Sequence, residues 1–176
     1  MPGALTPPLD ETDHVRGPLG APLELVMFGD FQCPYCLAAQ SVLRRVDTRL
    51  GDRLAFAYRH LPITERHPIA QAAAQASEAA AAQGRFWDYH DALYQSQPRL
   101  THDELLAIAR RLELDTDRLA AELAEGRWRP RVERDVRSAR DSGATATPTF
   151  FVNGRRHDDA YDAGSLVAAL QARGQP

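Results

Sequence analysis

Residues 28–36 read FGDFQCPYC and hold both cysteines of the chain, Cys33 and Cys36. The overlapping run before them, LELVMF at residues 23–28, is short and largely apolar, which is typical of a buried strand. From Cys36 to Leu50, apolar side chains recur three and four positions apart, which indicates an amphipathic helix. The two cysteines are therefore predicted to lie where a strand turns into a helix.

This junction gives the two thiols different predicted properties. Cys33 falls at the start of the helix, where unpaired N–H groups and the helix dipole favour a negative charge and lower the pKa of a thiol. Pro34 suits the first helical turn because it has no N–H that needs a partner. Cys36 lies one turn further on and is expected to be more buried. Cys33 is thus the expected exchanging thiol, and Cys36 the thiol that resolves a mixed disulfide.

Zinc binding and a purely structural role are the alternatives for a Cys-x-x-Cys pair. A zinc site needs two further ligands, but the six histidines of the chain show no His-x3–5-His spacing. Free cysteines are also common in protein cores. The context of a strand, Cys-Pro-Tyr-Cys and a helix favours redox chemistry over both alternatives. No metal ligand is predicted.

Outside this junction the sequence predicts a split α/β core around a helical block. The run LAFAYRH at residues 54–60 indicates a second strand. Residues 66–142 carry helical patterns and no convincing strand. Strand character returns in TPTFFV at residues 147–152, and Asn153-Gly154 is a strong hairpin signal. The predicted division is an extended lead-in at 1–22, a core at 23–65 and 143–176, and an all-helical insertion at 66–142.

Charge and hydropathy limit the classes of partner. The chain has 176 residues with 21 basic and 24 acidic side chains, a formal net charge of −3. This balance disfavours nucleic-acid binding. The first residues lack the positive start and apolar run of a signal peptide, and no stretch approaches the ~20 apolar residues that span a bilayer. A cytoplasmic protein without membrane insertion is expected, while an exported form stays open.

Two segments, residues 28–36 and Thr147-Pro148-Thr149-Phe150, resemble the thioredoxin superfamily, and specifically its DsbA-like branch of thiol–disulfide oxidoreductases. The helical block falls where that branch carries a helical insertion. The resemblance covers roughly residues 22–173. It implies a thioredoxin fold, in which a central mixed sheet is flanked by helices, with an inserted all-helical subdomain.

The resemblance also implies roles for individual residues. Cys33 and Cys36 would be catalytic, while Pro34 and Tyr35 would tune the active site. Thr147 and Pro148 would bind substrate: the bond between them is expected to be cis, to lie against the Cys33 sulfur and to expose backbone to an extended substrate segment. A trans proline at the start of a strand is the alternative.

One departure from the family leaves the proton route to Cys36 open. Many relatives carry a buried carboxylate six residues before the first cysteine, and this chain has Met27 there. Asp30 is the nearest acidic residue and a candidate for proton transfer. A role in the turn is the alternative for Asp30, and the sequence favours it.

The function that these features predict is thiol–disulfide exchange with protein thiols and disulfides or with low-molecular-weight thiols. The Cys33–Cys36 disulfide would be the redox group, and no metal or organic cofactor is expected. One alternative is a chaperone or binding module that uses the same cleft without turnover. Another is a glutathione-dependent transferase or isomerase, against which Cys36 argues because those reactions need no resolving thiol.

Overall fold

The structure, a computed structural model, describes residues 3–173, so the outer ends of the predicted ranges 1–22 and 143–176 lie outside the described residues. The strands are β1 (His14–Arg16), β2 (Leu23–Gly29), β3 (Leu54–His60), β4 (Thr149–Val152) and β5 (Arg155–His157). The helices are α1 (Pro34–Leu50), α2 (Ala70–Ala81), α3 (Phe86–Gln95), α4 (His102–Arg111), α5 (Thr116–Glu125), α6 (Arg129–Ser142) and α7 (Ala163–Arg173). Short 3-10 turns follow α1 and α3.

The five strands form one mixed sheet in the order β1-β3-β2-β4-β5. β2 and β3 are parallel, with Leu23 opposite Leu54 and Gly29 opposite His60. A parallel pair needs a crossover connection, and α1 supplies it. β4 runs antiparallel to β2, and β5 runs antiparallel to β4. The predicted α/β architecture, with an early parallel pair and a late hairpin, is confirmed.

The lead-in contributes a strand that the sequence did not predict. β1 runs antiparallel to β3, with His14 opposite Tyr58. The buried guanidinium of Arg59 holds the same segment, because it donates to both carboxylate oxygens of Asp13 at 2.8 Å. A three-residue strand in a proline-rich segment has no apolar alternation by which to recognise it. The division of the chain at residues 22, 65 and 142 stays a prediction.

The two faces of the sheet bury separate sets of side chains, because successive residues of a strand point in opposite directions. Leu25 and Met27 of β2 pack in the larger cluster, together with α1, α7 and the helices of the insertion. Val26 and Phe28 pack in a smaller cluster on the opposite face. Met27 is fully buried, so an apolar side chain occupies the position where the resemblance expects a carboxylate.

The helical block packs around α2, which contacts α3, α4, α5 and α6. The alanine side chains of α2 allow the neighbouring helices to approach closely. Two helices of this block begin with side-chain caps: Thr101 accepts from the N–H of Glu104, and Asp115 accepts from the N–H of Arg118. Within residues 3–173, no helix combines the length and the apolar character that crossing a bilayer requires.

Candidate active site

Cys33 lies at the junction between β2 and α1. It is the N-cap residue of α1, and Pro34 is the first helical residue. Its N–H donates to the carbonyl oxygen of Asp30 at 3.1 Å, which closes the turn that leads out of β2. Although only 4% of Cys33 is exposed, the residue lines a surface cavity of about 680 Å³. Pro34 and Tyr35 line the same cavity, and Tyr35 is 67% exposed.

The loop before β4 forms the opposite wall of this cavity. The peptide bond between Thr147 and Pro148 is cis. The Sγ of Cys33 lies 3.4 Å from the carbonyl oxygen of Thr147. Thr145 and Ala146 continue the wall. The structure therefore brings Cys33, Thr147 and Pro148 together, as the sequence predicts, while their roles toward a substrate stay predictions.

The two thiols, both free, differ strongly in acidity. A hydrogen bond from the side chain of Cys36 lowers the pKa of Cys33 from its ordinary value of 9.0 to about 5. Burial opposes this shift, while the side chain of Thr147 and the backbone N–H groups of Cys36 and Tyr35 add to it. The last two groups are unpaired donors of the first helical turn. At neutral pH Cys33 is accordingly a thiolate.

Cys36 has the opposite character. It is fully buried, and burial raises the pKa of its thiol well above 9.0. Its hydrogen bond to Cys33 and the negative charge of the Cys33 thiolate raise the pKa further. Of the pair, Cys33 is therefore the reactive nucleophile and the better leaving group, while Cys36 stays protonated until its neighbour is consumed.

Asp30 is buried at 1% exposure in the turn before Cys33. One oxygen of its carboxylate accepts the N–H of Gln32 at 2.7 Å. The other oxygen accepts the N–H of Ile63 at 2.8 Å and contacts Nδ1 of His67 at 2.7 Å. These contacts connect the active-site turn to the segment after β3. They match the turn role that the sequence favours for Asp30.

Two glutamines that the sequence analysis missed also hold the turn. The amide nitrogen of Gln97, in the insertion, donates to the carbonyl oxygens of Phe31 and Cys33, each at 2.9 Å. The side-chain oxygen of Gln32 accepts the N–H of Ile69, just before α2, at 2.6 Å. No spacing rule signals such contacts, because Gln97 lies 64 positions from Cys33.

An aromatic wall stands behind the turn. Phe31 stacks on Tyr58 with a centroid distance of 5.2 Å, and the hydroxyls of Tyr58 and Tyr94 lie 3.0 Å apart. Burial raises the pKa of both tyrosines well above 10.0. Gly29 permits this packing, because a Cβ at that position would come within 2.5 Å of the Tyr58 ring. The aromatic side of the Cys36 site is thus well packed.

A second group of titratable side chains lies near Phe31 and does not line this cavity. It consists of His14, His60 and Glu78. The ring of His60 lies 6.0 Å from that of Phe31, so this group is near the active-site turn without being part of the cavity. Neither cysteine belongs to it.

The sequence matches the family model described as Thioredoxin over residues 9–172. It is 47% identical over 164 residues to a Na(+)/H(+) antiporter NhaA 1 of Salinispora arenicola, and the match covers 93% of this chain and 25% of that protein. The chain thus spans about a quarter of the length of the curated relatives it matches. The antiporter name belongs to that whole protein.

Solved structures share the fold. Oxidised BdbD of Bacillus subtilis superposes with a TM-score of 0.89 at 22% identity over 100% of both chains. A thioredoxin-like oxidoreductase of Silicibacter pomeroyi gives 0.81 at 25% identity over 95% of each chain. The thiol-disulfide exchange protein alpha-DsbA2 of Wolbachia pipientis gives 0.78 at 18% identity over 93% of this chain and 88% of that one. The predicted thioredoxin fold of DsbA-like type is confirmed.

Proposed function

The chain belongs to the thioredoxin family, and from this premise we propose that it is a thiol–disulfide oxidoreductase acting through Cys33 and Cys36. One observation carries the proposal: the two thiols are strongly unequal, because the pKa of Cys33 is lowered to about 5 while that of Cys36 is raised. A pair built only for packing has no need of this difference. The redox group is the Cys33–Cys36 disulfide, and the exchange needs no metal or organic cofactor.

The inequality of the thiols fits each step of oxidation of a substrate dithiol. A substrate thiolate attacks Sγ of Cys33 in the disulfide, the Cys33–Cys36 bond breaks, and Cys36 leaves and takes up a proton in its buried site. The second substrate thiolate then attacks the substrate sulfur of the mixed disulfide, and Cys33 leaves as a stable thiolate. The substrate has lost two electrons, and the cysteine pair has gained them. Reduction of a substrate disulfide runs through the same steps in reverse.

The cavity beside Cys33 is suited to an extended polypeptide. Residues 145–147, Pro34 and the exposed Tyr35 line it, together with residues 63 and 65–67 of the segment after β3. An extended segment that places its sulfur on Cys33 would lie along the Thr147 backbone, where main-chain hydrogen bonds give affinity for many sequences. We therefore propose protein thiols and disulfides as the main substrate class, with small thiols as further reactants.

Matched cysteine variants test the proposal. Insulin reduction and oxidation of a dithiol peptide are measured with the natural protein, Cys33→Ser and Cys36→Ser. We expect Cys33→Ser to abolish both activities. Cys36→Ser keeps the attacking thiol, so it should react once with a substrate disulfide and accumulate the mixed disulfide, visible as a mass increase. Full turnover by Cys33→Ser would refute the proposal.

The same assays separate the two alternative functions. A chaperone or binding module suppresses aggregation of an unfolded client equally well in the natural protein and in Cys33→Ser. A glutathione-dependent transferase or isomerase requires glutathione for any turnover and continues without Cys36. The proposed oxidoreductase instead turns over a dithiol peptide without glutathione and stops when either cysteine is replaced.

A further inference from the structure

Three side chains from separate parts of the fold converge near Phe31 of the active-site turn. His14 comes from β1, His60 from the end of β3 and Glu78 from α2. Nε2 of His14 and Nε2 of His60 lie 2.8 and 2.7 Å from the same oxygen, Oε1 of Glu78. All three atoms lie within 4.8 Å of one another. We propose that His14, His60 and Glu78 bind a divalent transition-metal ion of the zinc class, independently of the cysteines.

The donor set and its spacing suit this class of ion. Imidazole nitrogen and carboxylate oxygen bind zinc at about 2.0–2.2 Å, which puts tetrahedral ligand atoms roughly 3.3 Å apart. The observed contacts to Oε1 need to open by only about half an ångström to reach that spacing. Calcium and magnesium prefer six or more oxygen ligands, and a site with two nitrogens and one carboxylate disfavours both.

The surroundings of the carboxylate also suit a metal ligand. Glu78 is 3% exposed, and a buried carboxylate is costly unless positive or donating groups face it. Both imidazole rings face its Oε1 at hydrogen-bond distance. Nε of Arg131 lies 3.8 Å from the other oxygen, Oε2. Oε1 therefore stays directed at the imidazoles, and Arg131 orients the carboxylate from outside the site.

The two imidazoles differ in exposure: His60 is a buried ligand, while His14 lies where an ion can reach the site from solvent. His60 is fully buried, and its Nδ1 has no hydrogen-bond partner among the described residues, so Nε2 is the ring nitrogen that the fold uses. His14 has a side chain that is 17% exposed. It lines a surface cavity of about 370 Å³, and its ring stacks on Phe86 at a centroid distance of 3.6 Å. An ion can enter past His14, and water can complete the coordination.

Metal binding at this place would connect parts of the chain that are far apart in sequence. His14 belongs to the lead-in, His60 to the sheet and Glu78 to the helical block. His60 also lies opposite Gly29, the last residue of β2 before the active-site turn. Since the unfolded chain does not preform the site, an ion that binds the folded state raises the melting temperature.

The test removes the cysteines first, because thiolates bind zinc. The double variant Cys33→Ser, Cys36→Ser is stripped with a chelator and titrated with zinc chloride by calorimetry, then with Co²⁺ by visible absorption. We expect one equivalent of zinc, a rise in melting temperature, and a Co²⁺ spectrum without thiolate charge-transfer bands. Adding His14→Gln should weaken zinc binding by about tenfold or more, whereas His102→Gln, at an exposed histidine on α4, should leave binding unchanged.

A chemical protection experiment keeps the proposal testable without changing the site. Zinc should slow the modification of His14 by diethylpyrocarbonate, read by mass spectrometry, in the same cysteine-free protein, and should leave His102 equally reactive. The proposal is overturned if the cysteine-free protein takes up no zinc. It is also overturned if zinc binds but neither His14→Gln nor the protection pattern reports an effect at His14.

Discussion

The Sγ of Cys33 lies 3.4 Å from the carbonyl oxygen of Thr147, although 114 positions separate the two residues. The antiparallel pairing of β2 with β4 explains this contact, since Phe28 lies opposite Thr149 in that register. β2 therefore ends where β4 begins, at the same end of this strand pair. The turn to Cys33 and the loop that carries Thr147 meet there. A slip of one residue in this register would turn every side chain of β4 to the opposite face of the sheet. The strand register therefore sets the position of Thr147 relative to the sulfur of Cys33.

The first prediction concerns the ionisation of Cys33. In the reduced protein, the rate of alkylation of Cys33 by iodoacetamide follows the thiolate fraction, so it should rise with a midpoint near pH 5, in place of the ordinary 9.0. Mass spectrometry assigns the modified cysteine. A midpoint at or above pH 8 would contradict the proposed active site.

A matched pair of variants tests the cause of that low pKa. The largest contribution is the hydrogen bond from the side chain of Cys36. Cys36→Ala removes this donor and should move the alkylation midpoint upward, whereas Cys36→Ser keeps a hydroxyl donor and should move it less. Equal midpoints in the two variants would show that a hydrogen-bond donor at position 36 does not lower the pKa of Cys33.

The second prediction is a dependence of folding stability on pH and redox state. The folded pKa of Cys33, about 5, lies below its ordinary value of 9.0, so between these values the unfolded reduced chain binds more protons than the folded one. The stabilisation of the folded state that comes from the low pKa of Cys33 is therefore fully present only above pH 9 and is lost as pH falls through 5. The reduced protein should gain stability relative to the oxidised protein from pH 5 to 9, measured by urea unfolding. A gap that is constant with pH would contradict this.

The local part of the candidate site was predictable from sequence. Cys33 and Cys36 lie in one short stretch between a strand and a helix, and that context is visible in hydrophobic periodicity alone. The hairpin between β4 and β5 was equally predictable from Asn153-Gly154, because its turn needs residues that tolerate positive φ. Both residues have positive φ in the structure. These features depend on residues that are close in sequence, so hydrophobic periodicity and turn signals predict them.

The contacts that hold the site together were not predictable, because they join distant parts of the chain. Gln97 reaches the turn from the insertion, and Arg59 reaches the lead-in from β3. A polar residue gives no periodic signal, and its partner depends on the folded arrangement. The group of His14, His60 and Glu78 gives no spacing signal for the same reason, because consecutive members are 46 and 18 positions apart in sequence.

The third prediction concerns Gln97 as a support of the active-site turn. Gln97→Ala removes two hydrogen bonds to backbone carbonyls, at Phe31 and Cys33. At about 0.5–1.5 kcal/mol each, the free energy of unfolding should fall by about 1–3 kcal/mol. Gln95→Ala, at an exposed position at the end of α3, is the matched control and should change stability by less than about 0.5 kcal/mol. Equal losses in urea unfolding would remove Gln97 from this role.

The fourth prediction concerns the attachment of the lead-in. The side chains of Arg59 and Asp13 are 1% and 0% exposed. Asp13→Ala leaves a buried guanidinium without its carboxylate, which typically costs about 3–5 kcal/mol. Asp158→Ala breaks the exposed pair with Arg156 and should cost less than about 1 kcal/mol. Urea unfolding measures both, and a loss for Asp13→Ala no larger than the control would show that the lead-in packs without this pair.

The last prediction decides between the two roles of Asp30. Asp30→Asn keeps the shape of the side chain but has a single acceptor oxygen. The carboxylate receives the N–H of Gln32 on one oxygen and that of Ile63, with His67, on the other. In either amide orientation the NH₂ group must face a buried donor. Stability should therefore fall by about 2–4 kcal/mol, and by less in Asp162→Asn, where the exposed carboxylate caps α7 and Asn caps as well.

The kinetics of the same variant complete the test. If Asp30 only holds the turn, resolution of the mixed disulfide by Cys36 keeps the pH profile of the natural protein, even if its amplitude drops with the folded fraction. Proton transfer through Asp30 requires a carboxylate, so its loss would shift the midpoint of that profile or slow the step at every pH at equal folded fraction. We expect an unchanged midpoint, because three contacts already occupy both carboxylate oxygens.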